Sequence, residues 1–91
     1  MAKAWDRYGN QIELTDERWN HIITGHPELE DYYEEVLETI KKGRRRQDPM
    51  DEKKYKYIKD FDNLPLGFTH FVVVVKLIKN NFVLTAYGIE R

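Results

Sequence analysis

The chain contains no cysteine, only three prolines and five glycines, and no apolar run longer than the five residues 71–75. Without cysteine there is no disulfide to staple the fold and no thiolate to act as nucleophile or metal ligand, which suits a reducing cytoplasm. Five apolar residues are far too few to cross a bilayer, and the first six residues, Met1-Ala2-Lys3-Ala4-Trp5-Asp6, lack the apolar core of a signal peptide. The expectation is a soluble cytoplasmic protein with no membrane partner. Also missing are a glycine-rich phosphate loop, an internal repeat and a low-complexity linker, so nothing divides the chain. Ninety-one residues then form one domain, 1–91.

What is present is charge, and it is segregated. The net charge is −1. Residues 1–40 nevertheless carry 3 basic side chains against 10 acidic, and residues 41–59 carry 9 basic against 3 acidic. Such runs are either solvated faces of helices and strands or an anion-binding surface beside an acidic one.

Ile12 and Leu14 alternate with polar neighbours, as in a short strand or extended arm. Thr15 is placed as an N-cap, with Asp16 and Glu17 in the first turn, and Trp19, Ile22 and Ile23 recur at helical spacing. That helix is predicted over 16–24, with Gly25 as its C′ residue and Pro27 driving His26 out of helical geometry. Pro27 then opens a second helix, in which Leu29, Tyr32, Tyr33, Val36, Leu37 and Ile40 form one apolar face and Gly43 marks the end.

Beyond Gly43 the period changes to that of strands. They are predicted over 44–47, 54–61, 69–78 and 82–87, with turns at Asp48-Pro49, 63–67 and Lys79-Asn80-Asn81. In the second of these, Tyr55, Tyr57, Lys59 and Phe61 share one face. In the last, Val83, Thr85 and Tyr87 share a face opposite Phe82, Leu84 and Ala86. Helices followed by consecutive strands predict an α+β fold with antiparallel pairing.

His21 and His26 lie five apart and so do not share a helix face, and His70 stands on a strand, so no metal or other cofactor is expected. The residues suit metal-free RNA cleavage better. There the ribose 2′-OH attacks the adjacent phosphorus, one group takes its proton, another protonates the leaving oxygen, and a cation steadies the phosphorane. His26, in the break between helices, is the best proton-transfer candidate. Arg44 and Arg46 point to one side of a strand and Arg45 to the other, and guanidinium forks match phosphate on either side. Tyrosine and threonine hydroxyls can position a phosphate, and tyrosine can stack on a base.

The order of these segments is similar to that of a known group. Ile12-Glu13-Leu14-Thr15-Asp16-Glu17-Arg18-Trp19, His21-Ile22 and Gly25-His26-Pro27-Glu28, closed by the strand 71–76 and by Phe82-Val83-Leu84-Thr85-Ala86-Tyr87, resemble phage-associated (PBECR-like) domains of the barnase/EndoU/colicin/RelE-like nuclease superfamily. The resemblance implies two N-terminal helices packed on a four-stranded antiparallel sheet. It implies a metal-independent endoribonuclease, either the toxin of a toxin–antitoxin system or a nuclease domain of a phage or mobile element. His26 and Thr85 then map to catalytic positions, together with Arg46 and Tyr57 from the first two strands. Arg44, Arg45, Lys54, Tyr55, Lys56 and Tyr87 would contact the RNA. The partners implied are RNA, such as tRNA or ribosome-bound mRNA, and a cognate antitoxin. Gly43 and three arginines stand where that group's helix-to-strand junction carries proline. Two alternatives stand beside this reading: a non-catalytic module binding nucleic acid or protein, and an interaction domain of a mobile element.

Overall fold

The computed structural model describes residues 2–90; Met1 and Arg91, the two ends of the expected 1–91 domain, lie outside the described residues. The chain starts with a hairpin of β1 (Ala2–Trp5) and β2 (Gln11–Leu14). Helix α1 (Asp16–Gly25) follows, with the Thr15 hydroxyl accepting from the Arg18 amide at 3.0 Å, as a cap should. The helix closes on His26, whose φ of −134° and ψ of 70° lie outside helical geometry, as a following proline requires. Gly25 is the last helical residue and not a left-handed cap.

The expected long second helix is divided. Pro27–Tyr32 is a 3-10 segment, and only Tyr33–Lys42 (α2) is α-helical. Three residues per turn put Leu29 and Tyr32 on one side, where Leu29 is fully buried and Tyr32 meets Phe71 edge-on at 5.8 Å. Helix α2 buries Val36, Leu37 and Ile40, and Thr39 satisfies its buried hydroxyl on the Glu35 carbonyl at 2.8 Å. Gly43 is required by close approach: an added Cβ would sit 2.9 Å from the Ile58 carbonyl oxygen and nearer still to that of Thr39.

Four more strands follow: β3 (Arg44–Asp48), β4 (Asp51–Asp60), β5 (His70–Lys76) and β6 (Phe82–Ile89). Among the described residues the six strands form one mixed sheet in the order β1-β2-β6-β5-β4-β3. This corrects the expectation of a four-stranded antiparallel sheet preceded by two helices. β2 runs parallel to β6, meeting it at Glu13–Phe82, with the Glu13 amide donating to the Asn81 carbonyl at 3.0 Å. Docking the hairpin there covers part of an edge of β6 and buries Ala4, Ile12 and Leu14 with the main core. β1 gave little sign of itself because its inward residues are alanines.

A bulge in the β5–β6 ladder corrects a second expectation. Val75 faces Val83 but Val74 faces Thr85, so Leu84 is extra. Val83 therefore turns inward with Ala86, while Thr85 and Tyr87 turn outward. Helix α1 runs beside β6, and α2 lies on the inner face against β4 and β5 and against β1. The sheet thus curls around α2 until β1 approaches the opposite edge strand, β3.

Candidate nucleic-acid interface

Directly opposed residues on neighbouring strands share a face, so the register sorts the basic segment into two populations. Arg45, Tyr57, Val73 and Ala86 form an inward row. Arg46, Lys56, Val74 and Thr85 form an outward row, and Arg44, Ile58, Val72 and Tyr87 form the next.

Inward, the polar groups face one another, although Arg45 Nη1 is buried without a hydrogen-bond partner. The Tyr57 side chain is fully buried and its hydroxyl donates a short hydrogen bond to Asp6 Oδ2. Asp6 also accepts from the Tyr8 and Asn10 amides at 2.9 and 2.8 Å, which fixes the β1–β2 turn, and from the Asn10 side-chain amide at 3.2 Å. Arg45 Nη1 stands 3.6 Å from Asp6 Oδ2. Its guanidinium lies over the rings of Tyr8 and Tyr55, 4.2 and 4.7 Å from their centroids. The Arg45 amide donates to the Tyr8 hydroxyl at 3.4 Å. These contacts join the two ends of the curled sheet. Burial pushes the Tyr57 hydroxyl pKa well up, and the hydrogen bond to the Asp6 carboxylate pushes it further. Burial also raises Asp6, but the hydrogen bonds from Tyr57, Asn10 and Tyr8 outweigh it and hold the carboxyl below its usual range.

Outward, Arg44 and Arg46 are exposed on β3 and Lys56 on β4, with Lys54 half-buried beside them. Among the described residues none of these four enters an ion pair. Lys76, on the same face of β5, is bound to Asp51. Beyond the cations Ile58, Thr85 and Tyr87 are half-buried, and Val72 and Val74 between them are buried.

His26 lies at the far side, where β6 has α1 beside it beyond its short pairing with β2. Its ring is 6.3 Å from that of Tyr87, its Nδ1 is 3.8 Å from Glu28 Oε1, and its side chain is 42% exposed. Three strand spacings of about 4.8 Å separate β3 from β6, so the arginines and Tyr87 stand about 14 Å apart. The four expected catalytic residues are therefore not brought together. Tyr57 faces the core, Arg46 and Thr85 lie at opposite ends of an outward row, and His26 stands beside β6. Of the expected RNA contacts, Arg44, Lys54, Lys56 and Tyr87 share the open face, whereas Arg45 and Tyr55 belong to the inner cluster.

Asp6 and Tyr8 were not singled out from sequence. The signal was there in part, since Asp-Arg-Tyr-Gly-Asn between two alternating stretches is a hairpin turn, with Gly9 at a φ of 89°. Their contact with Arg45, 37 residues on, had no local signature. The chain matches no known family model, no curated protein and no solved structure.

Proposed function

We propose that the open face of β3–β6 binds single-stranded RNA, with Arg44, Arg46, Lys54 and Lys56 on successive backbone phosphates and Tyr87 against a base. The observation that supports this is the placement, on one face of two neighbouring strands, of four cations that enter no ion pair among the described residues. Phosphate neutralisation by such a patch is strongly salt-dependent, with a slope of about −0.7 per phosphate for single strands. Binding of a single-stranded RNA oligomer, measured from 50 to 200 mM salt, should show a slope of roughly −3 if all four cations are engaged. The Arg44→Ala/Arg46→Ala double variant should shorten that slope by about 1.4. Slopes that coincide in the two proteins would assign the arginines to solubility at the edge of the sheet instead.

A second reading, metal-independent RNA cleavage, is favoured by His26 beside Tyr87 at the end of this face. The 2′-oxygen bonds to phosphorus as its proton passes to the neutral imidazole, the P–O5′ bond breaks, and the leaving oxygen takes a proton from a second donor. In this geometry Arg46 holds a flanking phosphate, and Tyr57, spent on Asp6, takes no part. On this reading the chain acts in the cytoplasm on tRNA or ribosome-bound mRNA, as a toxin restrained by an antitoxin or as a phage nuclease domain. Total RNA in EDTA is the test: cutting by the natural chain, lost in His26→Ala with oligomer binding retained, supports it. Tight binding without cutting in either protein leaves the binding module alone.

A further inference from the structure

The open face does not end at β6. Lys54, Lys76, Phe82, Glu13 and Lys3 are successive cross-strand partners, so they form one outward row from β4 to β1. At the end of that row a groove of about 760 Å³ opens between the β1–β2 hairpin, the start of α1 and the Lys79–Asn81 connection. Trp5 stands in its wall with 60% of its surface exposed, an unusual expenditure for an indole in a 91-residue chain. Lys3, Arg18 and Lys79 line the same groove, and Glu13 is the one carboxylate that the described residues place in its walls. None of these three cations is held in an ion pair among the described residues.

We infer that this groove is a nucleotide subsite, in which a base stacks on Trp5 and its phosphate is held by Lys3, Arg18 and Lys79. An aromatic face with nearby cations is the usual platform for single-stranded nucleic acid, since every base has a π-face and every nucleotide a phosphate. Three cations against one carboxylate make the groove complementary to an anion. The carboxylate has its own use: it accepts a hydrogen bond from an exocyclic amine, as on cytosine, and offers nothing to the carbonyl that uracil carries there. The ligand class is therefore a nucleotide with an amino-bearing base. The proposal deepens the RNA reading and rests on it for the polymer. A strand lying on the arginine and lysine patch would reach the groove by crossing Lys76 and Phe82.

The position of Trp5 is not left to chance. Asp6, its neighbour, fixes the turn through the Tyr8 and Asn10 amides, and the Asn81 side chain donates to the Gln11 carbonyl at 3.0 Å across the parallel junction. The stacking platform is thus anchored on both sides before any ligand arrives, which lowers the ordering cost of binding.

The test follows the Trp5 indole N–H by NMR, identified by its loss in Trp5→Phe, while 5′-CMP and then 5′-UMP are added. The expected result is a saturable shift with 5′-CMP and a several-fold weaker response to 5′-UMP, the difference shrinking in Glu13→Gln. With a cytidine-containing oligomer, Trp5→Ala should bind about tenfold more weakly, within the range of one lost stack, and Trp5→Phe should recover most of that. An indole unmoved by either nucleotide, with Trp5→Ala binding the oligomer like the natural chain, would overturn the subsite. Failure of the wider RNA reading has a different signature: the Trp5 resonance still responds to 5′-CMP, while the Arg44→Ala/Arg46→Ala variant binds the oligomer unchanged.

Discussion

Arg45 and Arg46 are neighbours on one strand, identical in chemistry, and the fold gives them opposite lives. Arg45 turns inward, stacks between two tyrosines and stands beside a buried carboxylate; Arg46 turns outward, exposed and in no ion pair among the described residues. One residue of strand register decides which guanidinium holds the protein together and which is available to a ligand. Stability and binding in this segment are therefore separable by mutation, and the separation can be attacked from either side.

The largest expected effect is at Asp6, where the inner cluster converges. Asp6→Ala removes the acceptor for Tyr57 and for two backbone amides, and leaves the Arg45 charge buried without a counterion. Breaking such a buried pair costs about 3–5 kcal/mol, a large part of the stability of a domain this size. Chemical denaturation should show that loss, and thermal unfolding a fall of roughly 15 °C or more. A loss under 1 kcal/mol would mean that the two ends of the sheet do not depend on this contact.

Next is Arg45→Ala. It removes two cation–π contacts and the charge partner of Asp6, though the carboxylate keeps its other donors, so about 2–3 kcal/mol is expected. RNA affinity measured well below the unfolding transition should change less than twofold. A large affinity loss in a folded Arg45→Ala protein would erase the distinction between the two faces.

Tyr57→Phe sharpens the comparison through pH. Removing the hydroxyl costs about 1–2 kcal/mol near neutrality because Asp6 loses a donor in a buried site. The Asp6 carboxyl titrates below its ordinary value in the folded state. Its contribution is therefore complete above the unfolded pKa of about 3.9 and is lost as pH falls through the lower folded value. Tyr57 is shifted the opposite way, so its contribution is complete below about pH 10 and declines as pH rises beyond that. The gap in stability between Tyr57→Phe and the natural chain should be widest between these limits and should narrow at both ends. A gap that is flat from pH 3 to 8 would remove Asp6 as the partner that matters.

Much of the two faces was legible before any coordinates. Alternation in 54–61 puts Tyr55 and Tyr57 on one side and Lys54 and Lys56 on the other, and the register bears this out. Alternation separates Arg45 from its neighbours in the same way. What was hidden depended on partners far away in the chain. The face of Thr85 hung on one extra residue in β6, and a bulge has no period to read. β1 carried too few branched or aromatic residues to register as a strand, and without β1 neither Asp6 nor Trp5 had a place. The catalytic role expected of Tyr57 rested on residue type and on the resemblance, and neither reveals which hydroxyls a fold consumes.

The smallest expected effect on stability is the one that completes the comparison. Arg46 is exposed and in no ion pair among the described residues, so Arg46→Ala should change unfolding free energy by less than about 0.5 kcal/mol. Replacing an edge-strand charge also leaves the β3–β4 ladder intact, since its hydrogen bonds belong to the backbone. RNA binding should respond all the same: one lost phosphate contact takes about 0.7 from the salt slope, and the deficit in affinity should shrink as salt rises. Arg45→Ala and Arg46→Ala would then be reciprocal, the first moving the unfolding midpoint and the second the salt dependence. If both variants moved both quantities, the inner cluster and the open face would be one coupled site, and the clasp around Asp6 would set the shape of the binding surface as well as its stability.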